Sequence, residues 1–295
     1  MSYARPAAGA AAVLTAAALL AGCGSGGSST AAAGGTPSAS TTSASTPSPS
    51  STTTSATTSA GTAAQVGTKV PLSTLSGRVS AALKGASSVH EEMTVGSVAS
   101  VSADLDVAHS AVSETFGAGS TQMQVLFVDG RFFVGGALAQ QLKAPTPWVS
   151  VDPQGTDRLA KALQPATQAL QSALKAGAGS VPSIPGAEAT VTKVEAGATT
   201  YHLVLTPAQV KSGLSTNPML SQLTTANPKA LEMLLKSPLA YDYTLDAQGR
   251  PERVVMQVAG QTMTMTFSQW GSAPAVSVPP ASQVTPSSAL GTGSA

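Results

Sequence analysis

Gln122-Met123-Gln124-Val125-Leu126-Phe127-Val128-Asp129-Gly130-Arg131-Phe132-Phe133-Val134 holds two apolar runs joined by Asp-Gly. An Asp-Gly pair between such runs marks a β-hairpin, because a type I′ turn needs positive φ at both central residues. The same grammar extends outward in both directions. Upstream, Val89, Glu91, Met93 and Val95 alternate with His90, Glu92 and Thr94, and Val101, Ala103, Leu105 and Val107 alternate with Ser102, Asp104, Asp106 and Ala108. Period-two alternation predicts strands with one buried face. Downstream, Trp148-Val149-Ser150-Val151 is a short strand after Pro145 and Pro147.

The second half repeats the pattern. Ala189 to Val194 and Thr199 to Leu205 flank Glu195-Ala196-Gly197-Ala198. Tyr241 to Leu245, Arg253 to Val258 and Gln261 to Phe267 form a three-strand unit, with Met263, Met265 and Phe267 on one face and Thr262, Thr264 and Thr266 on the other. Helical spacing appears in four places. Leu72, Leu75, Val79 and Leu83 share one face, and Gly85 would end that helix. Leu159, Leu163, Leu170 and Leu174 mark a second helix over Asp157 to Ala176, capped by Thr156 or Asp157 and kinked or split at Pro165. Thr206-Pro207 reads as N-cap and first helical residue of a short third helix. Pro218 to Lys236 is apolar nearly all round, which predicts a helix pair covered on more than one side. About eleven strands in consecutive hairpins predict an α+β fold built on an antiparallel sheet.

The ends differ in composition. Arg5 precedes an apolar run from Ala7 to Leu20, and Leu20-Ala21-Gly22-Cys23 follows. The run has the length of a signal-peptide core and is short for a membrane span of roughly 20 apolar residues. Cys23 is the one cysteine in the chain, so no intramolecular disulfide forms and zinc sites built from Cys/His clusters are excluded. Gly24 to about Thr68 is Ser/Thr/Ala/Gly/Pro-rich, uncharged and free of aromatics, a composition unable to offset chain entropy by burial. The expected division is a leader over 1–22, a tether over 23–68 with a mean reach of roughly 35–40 Å, a folded domain over 69–280, and a disordered tail over 281–295.

Chemistry is sparse. A net charge of +1 with 10% charged residues argues against a nucleic-acid partner. His90, His109 and His202 lack ligand-spaced partners and read as solvent-facing strand residues. Glu91/Glu92 and Asp104/Asp106 are carboxylate pairs without a nucleophile beside them. There is no G-x-S-x-G elbow, no dinucleotide fingerprint and no phosphate-binding loop. No enzymatic activity, cofactor or metal is expected. Seven of the eight methionines lie in the folded region, and methionine suits both irregular cores and adaptable ligand surfaces.

Taken together, Leu20-Ala21-Gly22-Cys23, Ser87-Ser88-Val89-His90, Phe127-Val128-Asp129-Gly130-Arg131-Phe132-Phe133, Pro147-Trp148-Val149, Leu245-Asp246-Ala247-Gln248-Gly249-Arg250-Pro251 and Phe267-Ser268-Gln269-Trp270-Gly271 resemble the LppX/LprG-like lipoproteins of actinobacteria, which are related in shape to the LolA/LolB carriers. The resemblance covers roughly Leu72 to Pro279. It implies a curved antiparallel half-barrel with helices on its concave side and an apolar cavity for an acylated lipid or glycolipid carried across the envelope. The Leu20-Ala21-Gly22-Cys23 stretch resembles a lipobox, in which signal peptidase recognises Leu20, Ala21 and Gly22 and Cys23 carries the diacylglyceryl anchor. The expected cavity residues are Met219, Leu223, Leu231, Met233, Leu234, Met256, Met263, Met265 and Phe267. The protein is then a monomer, tethered by lipid to the outer face of the cell membrane. The alternative is an envelope protein-interaction or sensor module of the same shape without a cavity.

Overall fold

The structure is a computed structural model and describes residues 65–96, 99–117, 121–176, 181, 184–216, 235–258 and 261–290. Thirteen strands form one sheet. They are β1 (Lys69–Pro71), β2 (Ser88–Val95), β3 (Ala99–Asp106), β4 (Ala111–Phe116), β5 (Met123–Val128), β6 (Arg131–Gly136), β7 (Trp148–Val151), β8 (Glu188–Glu195), β9 (Ala198–Leu205), β10 (Leu239–Leu245), β11 (Pro251–Val258), β12 (Gln261–Ser268) and β13 (Val284–Pro286). Among the described residues four α-helices accompany them: α1 (Leu72–Leu83), α2 (Ala137–Gln141), α3 (Arg158–Ala176) and α4 (Pro207–Thr216).

The spatial order is β1-β8-β9-β10-β11-β12-β2-β3-β4-β5-β6-β7-β13. Two meanders, β2 to β7 and β8 to β12, are joined where β12 pairs with β2, from Met263 opposite Val95 to Ser268 opposite His90. The ladders are antiparallel except β13 on β7, which is parallel. The sheet is not closed: β1 and β13 are its edges.

Local chemistry accounts for the turns. Asp129 and Gly130 have φ of 52° and 71°, as a type I′ hairpin requires, and Ala196 and Gly197 do the same between β8 and β9 with 45° and 88°. Asp157 caps α3, its Oδ1 accepting from the Leu159 and Ala160 amides at 3.0 and 2.9 Å. The Ala160 amide first, then the Ser287 hydroxyl and the Leu159 amide, hold its carboxyl below the usual range against the opposing effect of burial. At α4 the Gln209 amide donates to Thr206 Oγ1 while Gln209 Oε1 accepts from the Thr206 amide, a reciprocal capping box. Pro165 lies within α3, which runs through it as one helix rather than two.

One face of the sheet carries the main core. Leu72, Leu75 and Val79 of α1, Ala139 of α2, Ala160, Leu163 and Leu170 of α3, and Val210 of α4 join strand residues in a single buried cluster. A smaller cluster lies on the other face, where Ala111, Leu126, Val128 and Phe133 are covered by Trp148, Val276, Val278 and Val284.

Two corrections to the expectations above concern the ends. The tail from 281 is not disordered through Leu290: Ala281–Gln283 form a 3₁₀ turn and β13 extends the sheet. Thr146 and Thr285 hydroxyls meet at 2.6 Å, and Ser287 Oγ donates to Asp157 Oδ2 at 3.0 Å, so side-chain bonds hold a segment whose composition reads as loop. The strand count is thirteen rather than about eleven: β1 and β13 have three residues each, too few to show alternation, and β4 is absent from the strands expected above. The expected helices over Pro218–Lys236 lie outside the described residues apart from Leu235 and Lys236.

Candidate ligand-binding interior

The inner face can be read as rows across the ladders. One row runs Leu203, Tyr241, Met256, Met263, Val95. The next runs Tyr201, Tyr243, Val254, Met265, Met93, Val101, Phe116. A third runs Phe267, Glu91, Ala103, Glu114, Val125, Val134, Val149. Nearly every position in these rows is apolar. The first row is the half-buried margin of the core: Tyr241, Met256, Met263 and Val95 pack against the cluster without being enclosed by it. Met265 and Phe267, one and two pairs further in, are buried. The Phe267 ring stacks on Trp270 at 6.1 Å, and the Trp270 indole N–H donates to the Pro251 carbonyl at 3.0 Å.

Four expected cavity residues, Met256, Met263, Met265 and Phe267, therefore share this face. The other five, Met219, Leu223, Leu231, Met233 and Leu234, lie outside the described residues, as do Leu20, Ala21, Gly22 and Cys23.

The third row contains the interior's anomaly. Glu91 and Glu114 are 3% and 1% exposed, and Oε1 of each has no hydrogen-bond partner. They sit either side of Ala103, two strand spacings apart, or roughly 10 Å between Cα atoms. The two lie on the same face, with the Ala103 methyl between them in the register. Burial pushes the Glu91 carboxyl up to about 7, against a lowering influence of His90. Burial first, and the like charge of Glu91 second, push Glu114 up to about 8. Tyr243, whose hydroxyl is also raised by burial and then by Glu91, faces the same space, with Tyr241 beside it. Among the described residues no lysine or arginine is buried.

Glu114 is the residue missed at the level of sequence. The signal lay in Val112-Ser113-Glu114-Thr115-Phe116, where the alternation puts a carboxyl on the apolar parity. Glu91 occupies that parity too, between Val89 and Met93. Its sequence partner Glu92 points to the opposite, exposed face, so the Glu91/Glu92 pair does not exist as a constellation.

The outer face holds two histidine–aspartate pairs. His90 Nδ1 lies 2.6 Å from Asp104 Oδ1, and His202 Nδ1 lies 2.8 Å from Asp242 Oδ1. His109 sits in the turn after β3 rather than in a strand, and pairs with Asp106 at 2.8 Å. Asp104 and Asp106 thus serve different histidines. Among the described residues no three metal-ligating side chains cluster. No helix among them is long and apolar enough to cross a membrane.

An unclosed antiparallel sheet with helices on one face and an apolar inner surface defines the molecule as an α+β half-barrel. No family model matches the chain, and no curated protein matches it. Solved structures of similar shape include lipoprotein LppX of Mycobacterium tuberculosis, 16% identical over 70% of this chain and 98% of that one, with a TM-score of 0.38. LprF of Mycobacterium bovis is 13% identical over 70% of this chain and 96% of its own, with a TM-score of 0.36. The MucA/MucB complex of Pseudomonas aeruginosa is also similar, at 18% identity over 76% of this chain and 62% of that chain, with a TM-score of 0.31.

Proposed function

We propose that the chain is a cell-envelope lipoprotein, anchored through Cys23 on the extracytoplasmic face of the cell membrane, whose half-barrel interior binds the acyl chain of a lipid or glycolipid and carries it through the envelope. The observation that carries this reading is the half-buried row Tyr241-Met256-Met263-Val95, an apolar margin continuous with the buried rows behind it. Exposing an acyl chain to water costs about 0.8 kcal/mol per methylene, on the order of 10 kcal/mol for sixteen carbons. A carrier must therefore offer an enclosed apolar surface, and methionines at the margin adapt to chains of different shape. The tether over 23–68 would let the domain leave the membrane surface while it stays attached.

Displacement of an apolar fluorescent probe by fatty alcohols of increasing length tests the reading. Affinity rising about three- to fourfold per added methylene supports it. Affinity that does not change with chain length refutes it and favours the interaction module.

A further inference from the structure

Two carboxyls stand in the middle of an interior that ordinary packing would fill with apolar side chains. Neither is explained by the fold. Glu91 and Glu114 are flanked in their row by Phe267, Ala103 and Val125, and each keeps an Oε1 without a partner. A buried carboxyl left in this state is costly, and the group that satisfies it must bring either hydrogen-bond donors or positive charge. Among the described residues no lysine or arginine is buried to supply that charge. A phosphate or carboxylate head would add negative charge to a space that already holds two acidic groups. A hydroxyl would satisfy a lone pair and leave the charge uncompensated. A cation satisfies both requirements.

We infer that Glu91 and Glu114 receive the ammonium group of a cationic amphiphile, whose apolar chain runs from the carboxyl row past Met265 and Met93 to the Tyr241-Met256-Met263-Val95 margin. Ala103, the smallest side chain in the row, is the residue that separates the two carboxyls in the register. The inference rests on the proposal that the interior accepts an acyl chain, and it specifies the head group. Among the described residues, the titratable groups that act on the pair are Tyr243 of β10, with Tyr241 beside it, and His90 of β2 from the outer face. Among the described residues, none of the buried side chains of the four helices titrates. With the two carboxyls at about 7 and about 8, the empty pair holds at least one proton at neutral pH. Both are protonated at pH 5.

The test compares dodecylammonium, dodecanol and dodecanoate as displacers of an apolar probe, using the full chain with Cys23→Ser so that no lipid is attached. At pH 7.5 dodecylammonium is expected to bind at least tenfold more tightly than dodecanol, and dodecanoate more weakly than either. At pH 5 the preference for the amine should fall to within about twofold. Glu91→Gln with Glu114→Gln should abolish the preference for the amine over the alcohol at pH 7.5. If that variant does not fold, the pH series on the unsubstituted carboxyls decides alone. Equal binding of amine and alcohol at pH 7.5, or an amine preference that persists at pH 5, overturns the inference while leaving the apolar interior standing. Failure of all three probes overturns both. Calcium alone competing with dodecylammonium overturns it in favour of a metal.

Discussion

Replacing Glu114 by glutamine should remove most of the pH dependence of stability between pH 5 and pH 8. The carboxyl is 1% exposed, and its folded-state value is raised from 4.5 to about 8 by burial and by Glu91. A raised value means that the folded chain holds the proton more tightly than the unfolded chain. The associated stability is fully present below 4.5 and is lost as pH rises through about 8. At about 1.4 kcal/mol per pH unit, the three units between pH 5 and pH 8 amount to about 4 kcal/mol from this residue. Glu91, raised to about 7, adds a smaller loss over the same interval. Glutamine keeps the shape and cannot ionise. The assay is urea denaturation at half-unit pH steps on lipid-free protein. Wild type should weaken steadily from pH 5 to pH 8. Glu114→Gln should match it to within about 1 kcal/mol at pH 5 and exceed it by several kcal/mol at pH 8. Parallel profiles for the two proteins would refute the reasoning, because they would mean that the carboxyl is hydrated or paired in the fold.

Three further outcomes are expected. Gly136→Ala should destabilise by several kcal/mol in a thermal melt, because the residue has φ of 63° and an added Cβ would run into the Gln122 carbonyl oxygen; a melt within 1 °C of wild type would contradict the register of β5 on β6. Phe132→Ala, at a fully buried position between Phe127 and Val151, should cost about 3–5 kcal/mol by urea denaturation, whereas a cost under 1 kcal/mol would mean that the site is not core. Cys23→Ser should move the protein from the membrane fraction to the soluble fraction of lysed cells, since two acyl chains anchor firmly and their absence does not; unchanged membrane association would remove Cys23 as the anchor.

The strands were legible where one face is buried and the other is wet. Met263, Met265 and Phe267 alternate with threonines, and β12 follows that alternation over Gln261–Ser268. Asp129-Gly130, Asp157 and Thr206-Pro207 were legible because turn and cap chemistry is local. The pairing of β12 with β2 was not, since it joins residues about 170 positions apart and no local pattern encodes it. Nor was the ordered tail, because Val276, Val278 and Val284 gain their burial from the outer face of β4 to β7 rather than from any periodicity of their own. At the site, the methionine and phenylalanine of β11 and β12 followed from alternation. Glu114 did not, because Ala111–Phe116 lacks an adjacent turn signal as strong as Asp-Gly, and a lone glutamate among Ser and Thr reads as surface.

Mass spectrometry of organic extracts from the Cys23→Ser chain, purified from its native host, tests the central claim most directly. The account predicts a stoichiometric co-purified amphiphile with at least one long acyl chain. A blank extract, repeated after incubation with phospholipids, glycolipids and long-chain amines, would contradict it and leave the half-barrel as a surface for a protein partner.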